Sequence, residues 1–173
     1  MAWLPYINDY HPLYIQTDGD DKAWGTETYG LVAKSSPYPA FPEPKDPYKN
    51  DFRDENGDEE ADWVMHFRSF TFKVQFYVKA FDEAKGGTVR KASDVLREQE
   101  SAFFEKIKEG EFKVYDSYTG LGRQKVRYAG YEESGEGFLA RDDWARHVFS
   151  VSFKVNDPVT AMRISGGVIV PIT

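Results

Sequence analysis

The stretch FTFKVQFYVKAF, Phe70 to Phe81, sets Phe70, Phe72, Val74, Phe76, Val78 and Ala80 on one row and Thr71, Lys73, Gln75 and Lys79 on the other. Strict two-residue alternation is the mark of a strand with one buried face. A slip of one residue would turn the phenylalanines to water, so the register is fixed by the sequence itself. The row could be a sugar-stacking surface, but regular alternation with β-branched partners reads as core. The expected core face is Phe70, Phe72, Val74, Phe76 and Val78.

Working outward, the period changes after Phe81. Val89, Ala92, Leu96, Phe103 and Ile107 follow helical spacing, with Thr88 as N-cap and Gly110 as C′ residue, which predicts one amphipathic helix lying across a sheet. EFKVYDSY, the turn TGLG, RQKVRYAGYEE, a second glycine-rich turn, RHVFSVSFKV and MRISGGVIVPIT then read as strands and turns. Upstream, HPLYIQT and TYGLVAK are two further strands around a polar turn. The expectation is a mainly β fold with one long α-helix, an antiparallel sandwich or half-barrel with the helix packed on it. At 173 residues a single domain over 1–173 is expected, with no internal repeat.

Between the N-terminal strands and Phe70 the text is different. Pro37, Pro39, Pro42, Pro44 and Pro47 crowd together and lead into NDFRDENGDEEAD, and regular structure is not expected there. An EF-hand reading fails on spacing: with Gly57 at loop position six, Phe52 stands at position one and Trp63 at position twelve, and neither can ligate calcium. Residues 36–62 read as an extended, Pro-rich, acidic arm. Some 25 extended residues span up to about 80 Å, far enough to reach another subunit. A solvated, disordered loop is the alternative.

The chain carries 29 acidic and 22 basic residues, a formal charge of −7, and Glu43 to Asp62 alone hold nine acids against three bases. That balance disfavours nucleic-acid binding, which needs a basic patch. No stretch is apolar enough to span a membrane, and the N-terminus lacks a signal-peptide pattern, so a cytoplasmic start is expected. The absence of cysteine excludes disulfides and thiolate chemistry. His11, His66 and His147 are far apart and read as ordinary surface or strand residues, without metal-ligand spacing. TGLG reads as a hairpin turn, no G-x-S-x-G elbow is present, and Glu132 and Glu133 fall on opposite faces of a strand. Neither catalysis nor a cofactor or metal is expected. Two other classes stay open: a carbohydrate-binding module using Tyr10, Tyr14, Tyr118 and Tyr131, and a small barrel hydrolase with acids brought together across strands.

The order of features resembles a known family. ETYGLVAK, an arm with Arg53, Asp54, Gly57 and Asp62, the strand opened by Arg68, one helix, and a strand closing on Asp157-Pro158 resemble the distal tail protein family of long-tailed bacteriophages, over roughly residues 25 to 160. The resemblance implies a tail-tube-like ring fold and a non-catalytic virion protein in which six copies form a ring. The ring would join the tail tube to the tail tip or baseplate, with DNA passing through its lumen unbound. In this reading Pro42, Pro44, Phe52, Arg53, Asp54, Gly57 and Asp62 belong to the inter-subunit arm. It further implies assembly in the host cytoplasm, and a place in the virion tail; tail tube and tail terminator proteins share the fold and are alternatives. Phe52 stands where the family often has glycine, and the chain ends soon after Asp157-Pro158, without the galectin-like domain of many members.

Overall fold

The computed structural model of the chain describes residues 10–34, 41–45, 49–50, 59–60 and 66–172. In chain order the elements are β1 (Tyr10–His11), β2 (Leu13–Thr17), β3 (Trp24–Gly25), β4 (Leu31–Lys34), β5 (Lys49–Asn50), β6 (Glu59–Glu60), β7 (Phe70–Phe81), β8 (Glu83–Lys85) and β9 (Thr88–Arg90). There follow α1 (Ala92–Ile107), β10 (Phe112–Asp116), β11 (Leu121–Ala140), β12 (Trp144–Asp157), β13 (Met162–Ser165) and β14 (Val168–Pro171).

The alternating stretch forms β7, which lies between β4 and β12 and runs antiparallel to both. Its ladder with β12 sets Phe72 opposite Phe153, Val74 opposite Val151, Phe76 opposite Phe149, Val78 opposite His147 and Ala80 opposite Ala145. Phe72, Val74, Phe76 and Val78 are buried and Phe70 is half-buried against the same core. Burying a side chain of this size contributes about 1.5–3 kcal/mol, so this row is a principal stabiliser of the sheet.

The main sheet runs β1-β4-β7-β12-β11-β10-β2-β3. Its ends are tied by one length of chain, because β1 pairs with β4 while β2 pairs with β10. Only Pro12 separates β1 from β2, and a residue without an N–H is a natural place for a strand to change partners. The sheet therefore curls into an antiparallel half-barrel. Helix α1 packs against β7, β12 and β11, with Leu96, Phe103 and Ile107 buried and the Phe103 ring 5.3 Å from Phe76. The fold class read from the sequence, mainly β with one long helix on a half-barrel, is the one observed.

Several boundaries differ from the sequence reading. The helix begins after Lys91 rather than at Thr88. Gly86 and Gly87, both at positive φ, turn the preceding residues into the β8–β9 hairpin, which leaves Val89 exposed. Asp82 Oδ1 accepts the Ala92 N–H at 2.7 Å, so an end of the helix that lacks its own side-chain cap is satisfied from the end of β7. The second glycine-rich segment is no turn: β11 continues through it with a register shift between Glu133 and Phe138, and the chain reverses between Ala140 and Trp144. MRISGGVIVPIT forms a hairpin instead of one strand, since Gly166 and Gly167 both take positive φ, as a two-residue turn of this kind requires. TYGLVAK is split as well, with a 3-10 turn over Thr26–Tyr29 before β4.

Candidate functional site

The insertion between β4 and β7 is the first candidate. Of its sequence-assigned residues, Pro42 and Pro44 are described, whereas Phe52, Arg53, Asp54, Gly57 and Asp62 lie outside the described residues. Pro44 stands opposite Phe67 in an antiparallel bridge. Lys45 N–H donates to His66 O and Arg68 N–H to Glu43 O, each at 2.8 Å. These two bonds straddle the Pro44–Phe67 pair, which is therefore a non-hydrogen-bonded position where proline loses nothing. Further along, Lys49 and Asn50 of β5 pair with Glu60 and Glu59 of β6. The expectation that regular structure is implausible here is thus corrected: Glu43 to Lys45 pair with His66 to Arg68 and β5 pairs with β6, so the segment doubles back on itself. Doubling back limits its reach to at most about half that of a single extended strand. Phe41 at its base is 86% exposed.

The second candidate is a cluster that joins the helix to the sheet. In β12 the residues Ala145, His147, Phe149, Val151, Phe153 and Val155 face the core, and His147 is only 1% exposed. Its Nδ1 lies 2.5 Å from Glu100 Oε1 on α1, and its Nε2 lies 2.8 Å from Glu133 Oε2 on β11. Both ring nitrogens can donate at once only in the imidazolium form. Tyr131 donates its hydroxyl to Glu133 Oε1. Burial raises the Tyr131 pKa, and the negative Glu133 raises it further. Glu133 moves the other way, held low by the Tyr131 and His147 hydrogen bonds. Arg97 bonds Glu100 at 2.9 Å and covers the Phe138 ring at 4.4 Å.

A cavity of about 410 Å³ adjoins this cluster. It is lined chiefly by Phe103, Phe104, Ile107, Tyr128, Phe149 and Val151, with Glu100 and Tyr131 among the polar members. Ser101 also lines it, yet both His147 nitrogens already face carboxylates, which leaves neither placed to take a proton from a serine. The cluster's geometry is that of an interlayer brace.

His11 also has a carboxylate partner, Asp116 Oδ1 at 2.7 Å, and stacks on Tyr118 with ring centroids 5.2 Å apart. His11 and His147 are therefore not the ordinary strand histidines expected from sequence; each closes a contact between segments distant in the chain. Among the described residues no group of His, Asp and Glu is placed to hold a metal ion. Glu132 and Glu133 do point to opposite faces: Glu132 bonds Lys73 at 2.7 Å on the outer face. Of the tyrosines considered as sugar platforms, Tyr118 belongs to the His11 contact and Tyr131 to the His147 cluster. His147 left a trace in the sequence, as the one polar residue in an apolar row of β12.

No protein-family model and no curated protein matches the chain. Among solved structures, that of SPP1 Dit (gp 19.1), a hub protein of the adsorption apparatus in phages that infect Gram-positive bacteria, superposes on 88% of this chain with a TM-score of 0.55. The fold is shared with a phage adsorption-apparatus hub protein. Sequence identity to Dit is 13%, and the match covers 52% of Dit, so this chain spans about half of that protein's length. At such identity the likeness to Dit is one of fold.

Proposed function

We propose that this chain is a structural protein of the tail of a long-tailed bacteriophage, most specifically the distal adaptor ring that joins the tail tube to the tail tip or baseplate. The observation that carries the reading is the half-barrel-plus-helix fold shared with SPP1 Dit over 88% of the chain. The order of sequence features resembling the distal tail family supports it. In this reading copies of the chain associate into a ring of six, each insertion engages the next copy, and DNA passes through the lumen without specific contact. The protein is placed in the virion tail after assembly in the host cytoplasm. The role is non-catalytic and needs no cofactor, and buried His147, with its partners Glu100 and Glu133, braces helix against sheet.

Native mass spectrometry across a concentration series, with negative-stain imaging of large species, tests the ring. A closed particle of six subunits with a central hole is expected; a chain that stays monomeric throughout the series overturns it. Replacing residues 36–62 by a short glycine-serine linker tests the insertion. Glu43, Pro44 and Lys45 are exposed and make few contacts with the core, so the variant should keep its circular dichroism and melt close to wild type while losing the ring. Rings formed without the insertion would refute its assigned role.

A further inference from the structure

The cavity beside His147 owes its shape to two local events in β11. Strand β10 pairs with β11 only as far as Val126, so the residues beyond lie outside that ladder. A register shift between Tyr128 and Gly130 then adds one residue to the alternation. Tyr128 and Tyr131, three apart, consequently stand opposite Phe153 and Val151, both core-facing residues of β12. On α1, Glu100, Phe104 and Ile107 recur at helical spacing and meet the two tyrosines across about 410 Å³. A space of that size matches sites for small molecules, which bury an apolar body and orient it with a few polar groups.

The lining decides the charge of what fits. Rings of Phe104, Tyr128, Tyr131 and Phe149 form walls, with Phe104 edge-on to Tyr128 at 5.6 Å and Tyr131 tilted against Phe149 at 5.7 Å. The face of an aromatic ring carries the negative end of its quadrupole. The charged lining residues are Glu100 and Glu105, and among the described residues no lysine, arginine or histidine lines the space. His147 and Arg97 hold Glu100 from outside the lining, and Lys108 donates to Glu105 Oε2 at 2.8 Å, also from outside. Tyr131 keeps its proton, because burial and the Glu133 carboxylate both raise its pKa. An anion would meet carboxylates and ring faces with no cation to balance it. A positive group on an apolar body meets both the rings and the acids.

We infer that this cavity is a binding site for a small organic cation, an apolar body carrying one ammonium group. The body lies against Phe149 and Tyr128, and the ammonium sits at the mouth, where Phe104, Tyr131 and Glu105 are exposed. The site goes beyond the tail-ring reading and does not depend on it.

Three probes with one body and different heads test it on the full chain: phenylbutylammonium, phenylbutanol and phenylbutyrate. In calorimetric and amide NMR titrations the ammonium should bind with a Kd of about 0.1–1 mM, the range open to a ligand of so few atoms. It should bind at least about threefold tighter than the alcohol and about tenfold tighter than the carboxylate. Shift changes should centre on residues 100–107 and 128–131. Glu105→Lys should weaken the ammonium about tenfold and favour phenylbutyrate instead. Phe104→Ala should weaken it about three- to tenfold by removing one ring. Both positions are exposed, and thermal melts establish that each variant is folded.

Equal binding of the three probes overturns the inference, as does the absence of saturable binding by any of them up to roughly 10 mM. Ammonium binding left unchanged by both variants overturns it too, because the probe then sits elsewhere. The dipeptide N-acetyl-phenylalanyl-lysine amide is the fourth probe. If it binds more tightly than the free ammonium, the occupant is a basic segment of a partner protein and the small-molecule assignment falls.

Discussion

Replacing His147 by leucine removes the hinge of the helix-to-sheet brace while nearly preserving volume. The imidazole is 1% exposed, Glu100 is 17% exposed and Glu133 is 59% exposed. Two charge-assisted hydrogen bonds are lost, each of the order of 1.5–3 kcal/mol, although the solvent around Glu133 discounts its share heavily. Leucine returns part of this through apolar contact with Phe149 and Val78, so the expected net loss is about 2–3 kcal/mol. For a chain of this length that lowers Tm by about 5–10 °C. The loss falls mainly on Glu100, left beside Phe103 and Phe149 with Arg97 as its remaining ion-pair partner. Removing that carboxylate too, in the Glu100→Leu and His147→Leu double variant, should recover much of the stability, since an apolar replacement of a buried ion pair is often neutral. Urea unfolding of both single variants and the double variant supplies the cycle, with an expected coupling of about 1–3 kcal/mol. Strict additivity of the two singles, or a His147→Leu variant as stable as wild type, would refute the brace.

Two further predictions follow from local geometry. Burial works against ionisation of Asp20, but hydrogen bonds from Thr17, Lys106 and Trp24 outweigh it and bring the pKa from 3.8 to about 2. Because the folded value lies below the unfolded one, this stabilisation is complete above about pH 4 and is lost as pH falls through 2. Asp20→Asn should therefore cost ~2 kcal/mol at neutral pH and make the acid limb of the stability curve shallower; an unchanged acid limb would count against the assignment. Gly30 sits at φ 76°, and a Cβ there would lie 2.9 Å from Gln99 Oε1. Gly30→Ala should lower stability by about 1–2 kcal/mol in thermal melts through left-handed backbone strain alone, before any shift of Gln99.

What could be read from the sequence depended on how local its cause was. The β7 row is visible because alternation is a property of neighbouring residues. The helix was visible for the same reason, but its start was placed too early: Val89 happens to fit helical spacing, while the Gly86-Gly87 turn that excludes it from the helix acts through backbone conformation. A glycine-rich segment reads alike as turn or bulge, and only the partner strand β12 decides that Ser134 to Gly137 continue β11. Prolines argued against pairing in the insertion, yet Pro44 occupies a position where no N–H is required. The His147 cluster draws on residues 47 and 14 positions away, so the sequence could show its misfit in an apolar row but not its partners.

The seam at Pro12 bears on how the chain is made. β2 leaves the ribosome well before β10, yet it pairs with β10, whose residues come about 100 positions later: Leu13 with Asp116, Ile15 with Val114. At translation rates of roughly 5–20 residues per second, that is a wait of roughly 5–20 s. During it Leu13 and Ile15, both buried in the finished molecule, have no native partner strand on that side. Closure of the barrel is accordingly a late, long-range event, and such events set slow folding rates. A strand synthesised early is thus enclosed late.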